Sequence, residues 1–303
     1  MGRSVGCASG GDAVRAWQSE RTRCAVATAL FAAAALAALA TGADEPPREV
    51  DRFDRVVLDA GHGGDDHGAE GPAGLLEKEL VLDVTRRLKA RIEGDGVQVV
   101  LTRDDDVYVP LGERTAIANR AGADLFVSIH ANAASARSAR GVEIFFVALE
   151  ASDESARQLA ERENAAFREA SPASPDDPLA SILGDLAAAD QLRESDEFAR
   201  LANREVAALV AAVPSRGVKQ APFVVLMGVQ MPAALVEIGF ITNPTEERDL
   251  ASPGYRDRVA DALARAVFEF AGRYDARRGV PRPARGNEPA KSSRETPLTQ
   301  GGG

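Results

Sequence analysis

The chain has 303 residues, 45% hydrophobic and 27% charged, ordinary values for a soluble globular protein. A formal charge of −10 argues against binding to a phosphate backbone, and so against a nucleic-acid role. The length admits one domain of roughly 200 residues plus flanks, enough for a single core.

Residues 24–40 form an uncharged, Ala-rich run preceded by Arg15, Arg21 and Arg23. About 17 apolar residues stand at the lower limit of a membrane span. Ala40, Thr41, Gly42 and Ala43 then offer a cleavage site, and Asp44-Glu45-Pro46-Pro47 breaks any helix. Residues 1–43 are therefore expected to be a secretory signal peptide, cleaved near Gly42 or Ala43. An uncleaved N-terminal anchor is the alternative. Cys24 precedes the apolar run, which argues against a lipoprotein anchor. Both cysteines, Cys7 and Cys24, fall in this leader, so the mature chain is expected to hold no disulfide and no catalytic thiol.

Residues 44–53 look like a linker, and residues 54–274 look like the folded domain. Short apolar runs at Arg55–Asp59, Val97–Thr102, Leu125–Ile129, Val142–Val147, Phe223–Leu226 and Ala234–Ile238 are what strands covered on both faces look like. Helix patterns lie between them. Leu76, Leu80, Val84, Leu88 and Ile92 recur every fourth residue before Gly94 and Gly96 stop the run; Val259, Leu263, Val267 and Phe270 repeat the pattern. The alternation predicts an α/β single domain with a mostly parallel sheet of about six strands. Residues 150–195 are an irregular insertion, with helices expected over 152–170 and 179–192 and a break at Ser171 to Pro178. Insertions of this size serve as lids, binding elements or mobile segments. Residues 275–303, rich in Arg, Pro, Ser and Gly, are expected to form a disordered tail.

The chain has three histidines. His62 lies just past one expected strand, His130 directly follows another, and Glu237 ends a third. In an open α/β sheet, ligands gather beyond the carboxyl ends of the strands, so parallel strands would bring these groups to one edge. Glu77 opens the helix after the Gly61-His62-Gly63-Gly64 loop, which can fold its carboxylate back toward His62. Two His and one Glu leave a fourth zinc position open, the catalytic arrangement. Spacing alone leaves this metal site open against two plainer readings, a solvated loop histidine at 62 and a hydrogen-bonded histidine at 130. A phosphate loop at Gly61–Gly64 is a poor reading, because no Gly-Lys-Ser/Thr follows.

The runs VVLDAGHGG…GAEGPAGLLEKEL, VVLTRDDDVYVPLGERTAIAN, ADLFVSIHANA, GVEIFF, FVVL and PAALVEIGFITNPTEE stand in the order of a known family over about residues 54–272. They resemble the zinc N-acetylmuramoyl-L-alanine amidases of bacterial cell walls. By that resemblance the sheet is twisted with helices on both faces, and His62, Glu77 and His130 hold one Zn²⁺. Glu237 corresponds to the catalytic glutamate, and the substrate is peptidoglycan. The 150–195 insertion, with Leu159-Ala160-Glu161-Arg162-Glu163-Asn164-Ala165 and Ile182-Leu183-Gly184-Asp185-Leu186, resembles a segment of the periplasmic cell-division amidases. There a helix blocks the zinc cleft until an activator protein displaces it; Glu163 and Glu169 are the candidate blocking residues. The resemblance implies a periplasmic enzyme of wall remodelling and daughter-cell separation. A monomer with no membrane span after signal removal and no nucleic-acid partner is expected. His67 departs from the family pattern, where Pro is more frequent; an extra ligand and a surface histidine are both open. A zinc peptidase or carboxypeptidase on stem peptides and an inactive wall-binding module remain the competing readings.

Overall fold

The computed structural model describes residues 52–165, 189–210 and 215–280. The leader, nearly all of the linker, Glu169 and the chain beyond residue 280 lie outside the described residues. Among the described residues, no helix is long and apolar enough to cross a membrane.

Six strands form one mixed sheet: β1 (Arg55–Ala60), β2 (Gln98–Leu101), β3 (Leu125–Asn132), β4 (Glu143–Val147), β5 (Val218–Ala221) and β6 (Ala233–Phe240). Their order is β2-β1-β3-β6-β4-β5. Four of the five pairings are parallel, and only β4 with β6 runs antiparallel. The expected mostly parallel α/β sheet is therefore what the chain adopts.

Side chains alternate across the sheet with period two, and each face has its own core. Val56, Leu58, Val127, Ile129, Val236 and Ile238 pack against three helices. These are α1 (Glu77–Glu93), α4 (Ala189–Ala207) and α6 (Pro253–Arg277). Val57, Phe126, Phe145 and Leu235 pack on the other face, against α2 (Leu111–Ala121) and α3 (Glu154–Glu163). A shorter helix, α5 (Pro244–Ala251), follows β6 and is capped by Asn243, whose side chain accepts from the amides of Thr245 and Glu246.

One expected strand is overturned. Phe223–Leu226 does not pair in the sheet; Val224–Leu226 is a short 3₁₀ turn, and Phe223, Val225 and Leu226 fill the core beneath the α2/α3 face. The fifth strand lies just upstream at Val218–Ala221, a sequence whose Lys219 and Gln220 hide it from a hydrophobic reading. Pro222 separates the two, and its ring cannot donate to a ladder, so pairing stops there. Helix α6 also continues past Tyr274 into the expected tail, to Arg277. Asp275 is fully buried, and its carboxylate accepts from the Phe53 amide at 2.8 Å, tying the domain's two ends together.

Candidate metal centre

Period two also decides which polar groups share a face. Asp59, Ser128, His130, Glu237 and Glu143 alternate with the same side as Val57, Phe126, Leu235 and Phe145, the α2/α3 face. Register then lines them up: Asp59 opposite Ser128, His130 opposite Glu237, and Glu237 opposite Glu143. Glu143 reaches this edge although it begins its strand, because β4 runs backwards relative to β6. The polar row crosses four neighbouring strands, β1, β3, β6 and β4, and α3 lies on that face of the sheet.

The three expected ligands converge. Glu77 Oε1 lies 3.2 Å from His62 Nε2 and 3.1 Å from His130 Nδ1. The amides of Ala131 and Ala69 donate to the two Glu77 oxygens at 2.9 and 2.8 Å and lock the carboxylate in place. Asp66 Oδ2 stands 2.9 Å from His62 Nδ1 and orients that ring, leaving Nε2 to the cluster. A fourth donor completes the group. Glu163, the last residue of α3, brings Oε2 to 3.5 Å from His62 Nε2 and 3.3 Å from His130 Nδ1. Atoms of His62, His130 and Glu163 all fall within 4.8 Å of one another. His67 is exposed and outside this group.

The cluster fits a small divalent cation. His62 Nε2 is buried and has no hydrogen-bond partner, which costs free energy unless another group satisfies it. Burial opposes charge on the His62 ring, yet Glu77, Asp66 and Glu163 overrule it and raise its pKa to about 11. The pocket therefore calls for positive charge. Burial also works against the Glu77 carboxylate, but the two imidazoles hold it far below the ordinary range. Two imidazoles and a carboxylate are zinc's usual donors at a catalytic site.

Glu237 has a different environment. It is buried, and neither carboxylate oxygen has a hydrogen-bond partner. Burial first, then Glu163, Glu77 and Glu143, push its pKa well above the ordinary carboxyl value. A carboxyl with raised proton affinity beside a cation site is suited to accept and return a proton.

Supports that the sequence reading passed over hold this arrangement. His62 has a positive φ of 58°, a left-handed conformation sparsely populated outside glycine. Two arginines brace it. Arg103 donates to the carbonyls of Ala60, Gly61 and Lys78, at 2.9, 2.7 and 2.9 Å. Arg114 donates to the carbonyls of Ala60 and His62, at 2.6 and 2.8 Å, and pairs with buried Asp59 at 2.8 Å. Both arginines stand in the run VVLTRDDDVYVPLGERTAIAN, Arg103 just past β2 before three aspartates and Arg114 beside Glu113 in the first turn of α2, where nothing local sets them apart from their polar neighbours. Gly61 is required by close approach: a Cβ there would stand 2.3 Å from His130 Cε1. Helix α3 is anchored at both ends. Lys219 pairs with Asp153 at 3.0 Å, and Asn164 donates to the Pro222 carbonyl and accepts from the Val224 amide, each at 2.8 Å.

Fold and cluster together define a class: a mostly parallel α/β protein with a candidate metal centre where its parallel strands end. The family model for N-acetylmuramoyl-L-alanine amidase matches residues 56–269, and the chain belongs to that family. It is 38% identical over 218 residues to the N-acetylmuramoyl-L-alanine amidase AmiA of Escherichia coli K12, covering 71% of this chain and 75% of that one. The solved amidase of Clostridium difficile 630 superimposes with a TM-score of 0.56 at 28% identity, covering 73% of this chain and 98% of the other. AmiC2 of Nostoc punctiforme gives 0.53 at 31% identity, with the same coverage.

Proposed function

We propose that this amidase is zinc-dependent, with His62, Glu77 and His130 as ligands, and that it cleaves the amide between the muramic-acid lactyl group and L-alanine in peptidoglycan. The observation that carries the reading is the meeting of two imidazoles and Glu77 within about hydrogen-bond distance, with Glu237 on the adjacent strand in register with His130. When bound, the ion would polarise the scissile carbonyl and the attacking water. Glu237 takes the proton from that water and returns it to the departing nitrogen. Asp66 holds the His62 ring in the orientation the site needs, and the Ala69 and Ala131 amides hold Glu77.

Mass spectrometry of fragments released from purified sacculi tests the reading. Expected products are stem peptides with a free N-terminal alanine and glycan with a free lactyl carboxyl, both lost on chelation and regained with zinc. A cut inside the stem peptide, or release that survives chelation, would overturn it.

We further propose that the described form is the resting enzyme, with Glu163 filling the fourth position. The distances of 3.3 and 3.5 Å to the imidazoles support this, as do the anchors at Lys219 and Asn164. An activator protein would then work by lifting α3. Residues 1–43 as an export signal, a periplasmic location and a role in daughter-cell separation complete the proposal. Deleting α3 would strip Ala156, Leu159 and Ala160 from the core, so the point change is the cleaner test. Glu163→Ala is expected to raise basal peptide release about tenfold or more, by removing a contact made only in the closed state. An unchanged or lower rate in the folded, zinc-loaded variant would remove Glu163 from regulation.

A further inference from the structure

Two cavities flank the cluster. One, of about 360 Å³, opens beyond Glu237 on the β4 side and is walled by Asn132, Glu143, Arg162, Arg216, Phe240 and Thr242. The other, also about 360 Å³, lies against the Gly-rich loop, at His62, Asp66, Gly68 and Ala69. They share Ala133 and Arg162, and Arg162 donates to the Ala133 carbonyl at 3.0 Å. Helix α3 is thus the partition between two halves of one groove. A substrate with a scissile bond at the cluster would send its acyl half one way and its amine half the other.

The sheet decides which way. Across the strands the order is β1, β3, β6, β4, and His130, Glu237 and Glu143 are neighbours in register. Glu237 therefore stands between the imidazoles and the β4 cavity. On the amidase reading, Glu237 delivers a proton to the departing nitrogen, so that nitrogen and the peptide attached to it lie on the Glu237 side. The glycan half then lies along the Gly-rich loop.

One residue in the β4 cavity is ready to read a charge. Arg216 donates from Nε to Glu143 Oε1 at 2.7 Å, and its guanidinium sits 5.2 Å from the centre of the Phe240 ring. These contacts fix the plane of the group. Its two terminal nitrogens have no partner among the described residues. Glu143 does not depend on them, because Lys219 reaches the same oxygen at 2.9 Å and Asn132 reaches the other at 2.6 Å. A held guanidinium with its outer edge unused is suited to bidentate carboxylate recognition.

We propose that the β4-side cavity receives the peptide leaving group, and that Arg216 selects an acidic peptide by gripping a carboxylate on it. The proposal rests on the amidase reading, which fixes the side from which the amine departs. The test is calorimetric titration of the full chain with a tripeptide that begins with L-alanine followed by γ-linked D-glutamate, and with the same peptide carrying a carboxamide in place of the glutamate α-carboxylate. The acid form is expected to bind about 10- to 100-fold more tightly. Arg216→Gln should abolish that preference while leaving the carboxamide peptide's affinity unchanged, and Arg216→Lys should retain part of it. In turnover the loss should appear in KM for acidic substrates, with kcat held. Equal weakening of both peptides, no preference in the unaltered chain, or a preference that survives Arg216→Gln would each overturn the assignment. Failure of the amidase reading looks different: the unaltered chain would free no alanine-terminated peptide from sacculi.

Discussion

Glu237→Gln is expected to lower peptide release by about 100- to 10,000-fold, the range by which a positioned general base accelerates a reaction. The substitution keeps the side chain's size and removes only its ability to take a proton. Glu237 touches no hydrogen-bond donor or acceptor among the described residues, so no network is broken with it. Zinc content and thermal midpoint should therefore stay close to those of the unaltered chain. That separation makes the experiment decisive. Near-normal turnover with the ion still bound would take Glu237 out of the mechanism, whereas loss of the ion would recast it as a structural support.

The second large effect concerns stability. Asp59 and Arg114 form an ion pair in which the two side chains are 0% and 2% exposed. Asp59→Ala leaves the guanidinium buried without its counter-charge, a change that costs about 3–5 kcal/mol. Arg114→Leu added to Asp59→Ala should recover much of that loss, because removing both charges leaves neither stranded. The recovery would not extend to activity: Arg114 also holds the carbonyls of Ala60 and His62, and with them the left-handed turn at His62. Denaturant unfolding measures the stabilities, and no recovery in the double variant would show that Arg114's hydrogen bonds to the carbonyls of Val109, Ala60 and His62 matter more than the pairing of its charge.

The same pair predicts a pH dependence. Burial works to raise the Asp59 pKa, but Arg114 and the hydroxyls of Ser128 and Thr102 outweigh it and hold it below the ordinary value. A lowered folded-state pKa means that the stabilisation is complete above the unfolded value of about 4 and drains away as pH falls below it. Between pH 5 and about 2 the unaltered chain should lose more stability than the double variant. Parallel curves would place the acid sensitivity elsewhere.

The strands carrying the site were legible because buried parallel strands must be apolar along their whole length. RVVLD, LFVSI and ALVEI come close to that requirement, broken by Arg55 at the start of β1 and by Asp59, Ser128 and Glu237 on the site face, and the edge strand's VQVVLT is broken by Gln98 and Thr102. Strand β5 was not legible, since an edge strand of Val, Lys, Gln and Ala is only half-buried and needs no such run. Phe223–Leu226 was misread for the complementary reason. An apolar run reports burial, and nothing in it distinguishes a strand from a turn pressed into the core. His62, Glu77, His130 and Glu237 could be singled out because polar residues at strand ends and helix starts have few reasons to be there. Glu163 could be named only together with Glu169.

The amino-acid order alone thus determined the α/β class, the strands that end at the site, and the side chains available to a metal. Those properties follow from burial periodicity and residue chemistry, which are local. Tertiary structure decided that β4 runs backwards and brings Glu143 to the edge, that Arg103 and Arg114 brace the His62 turn, and that Glu163 meets both imidazoles. It also left the outer edge of the Arg216 guanidinium unused in the wall of a cavity. Each of these depends on contacts between segments far apart in the chain, and their geometry is set by how two cores pack on one sheet, which no run of neighbouring residues encodes.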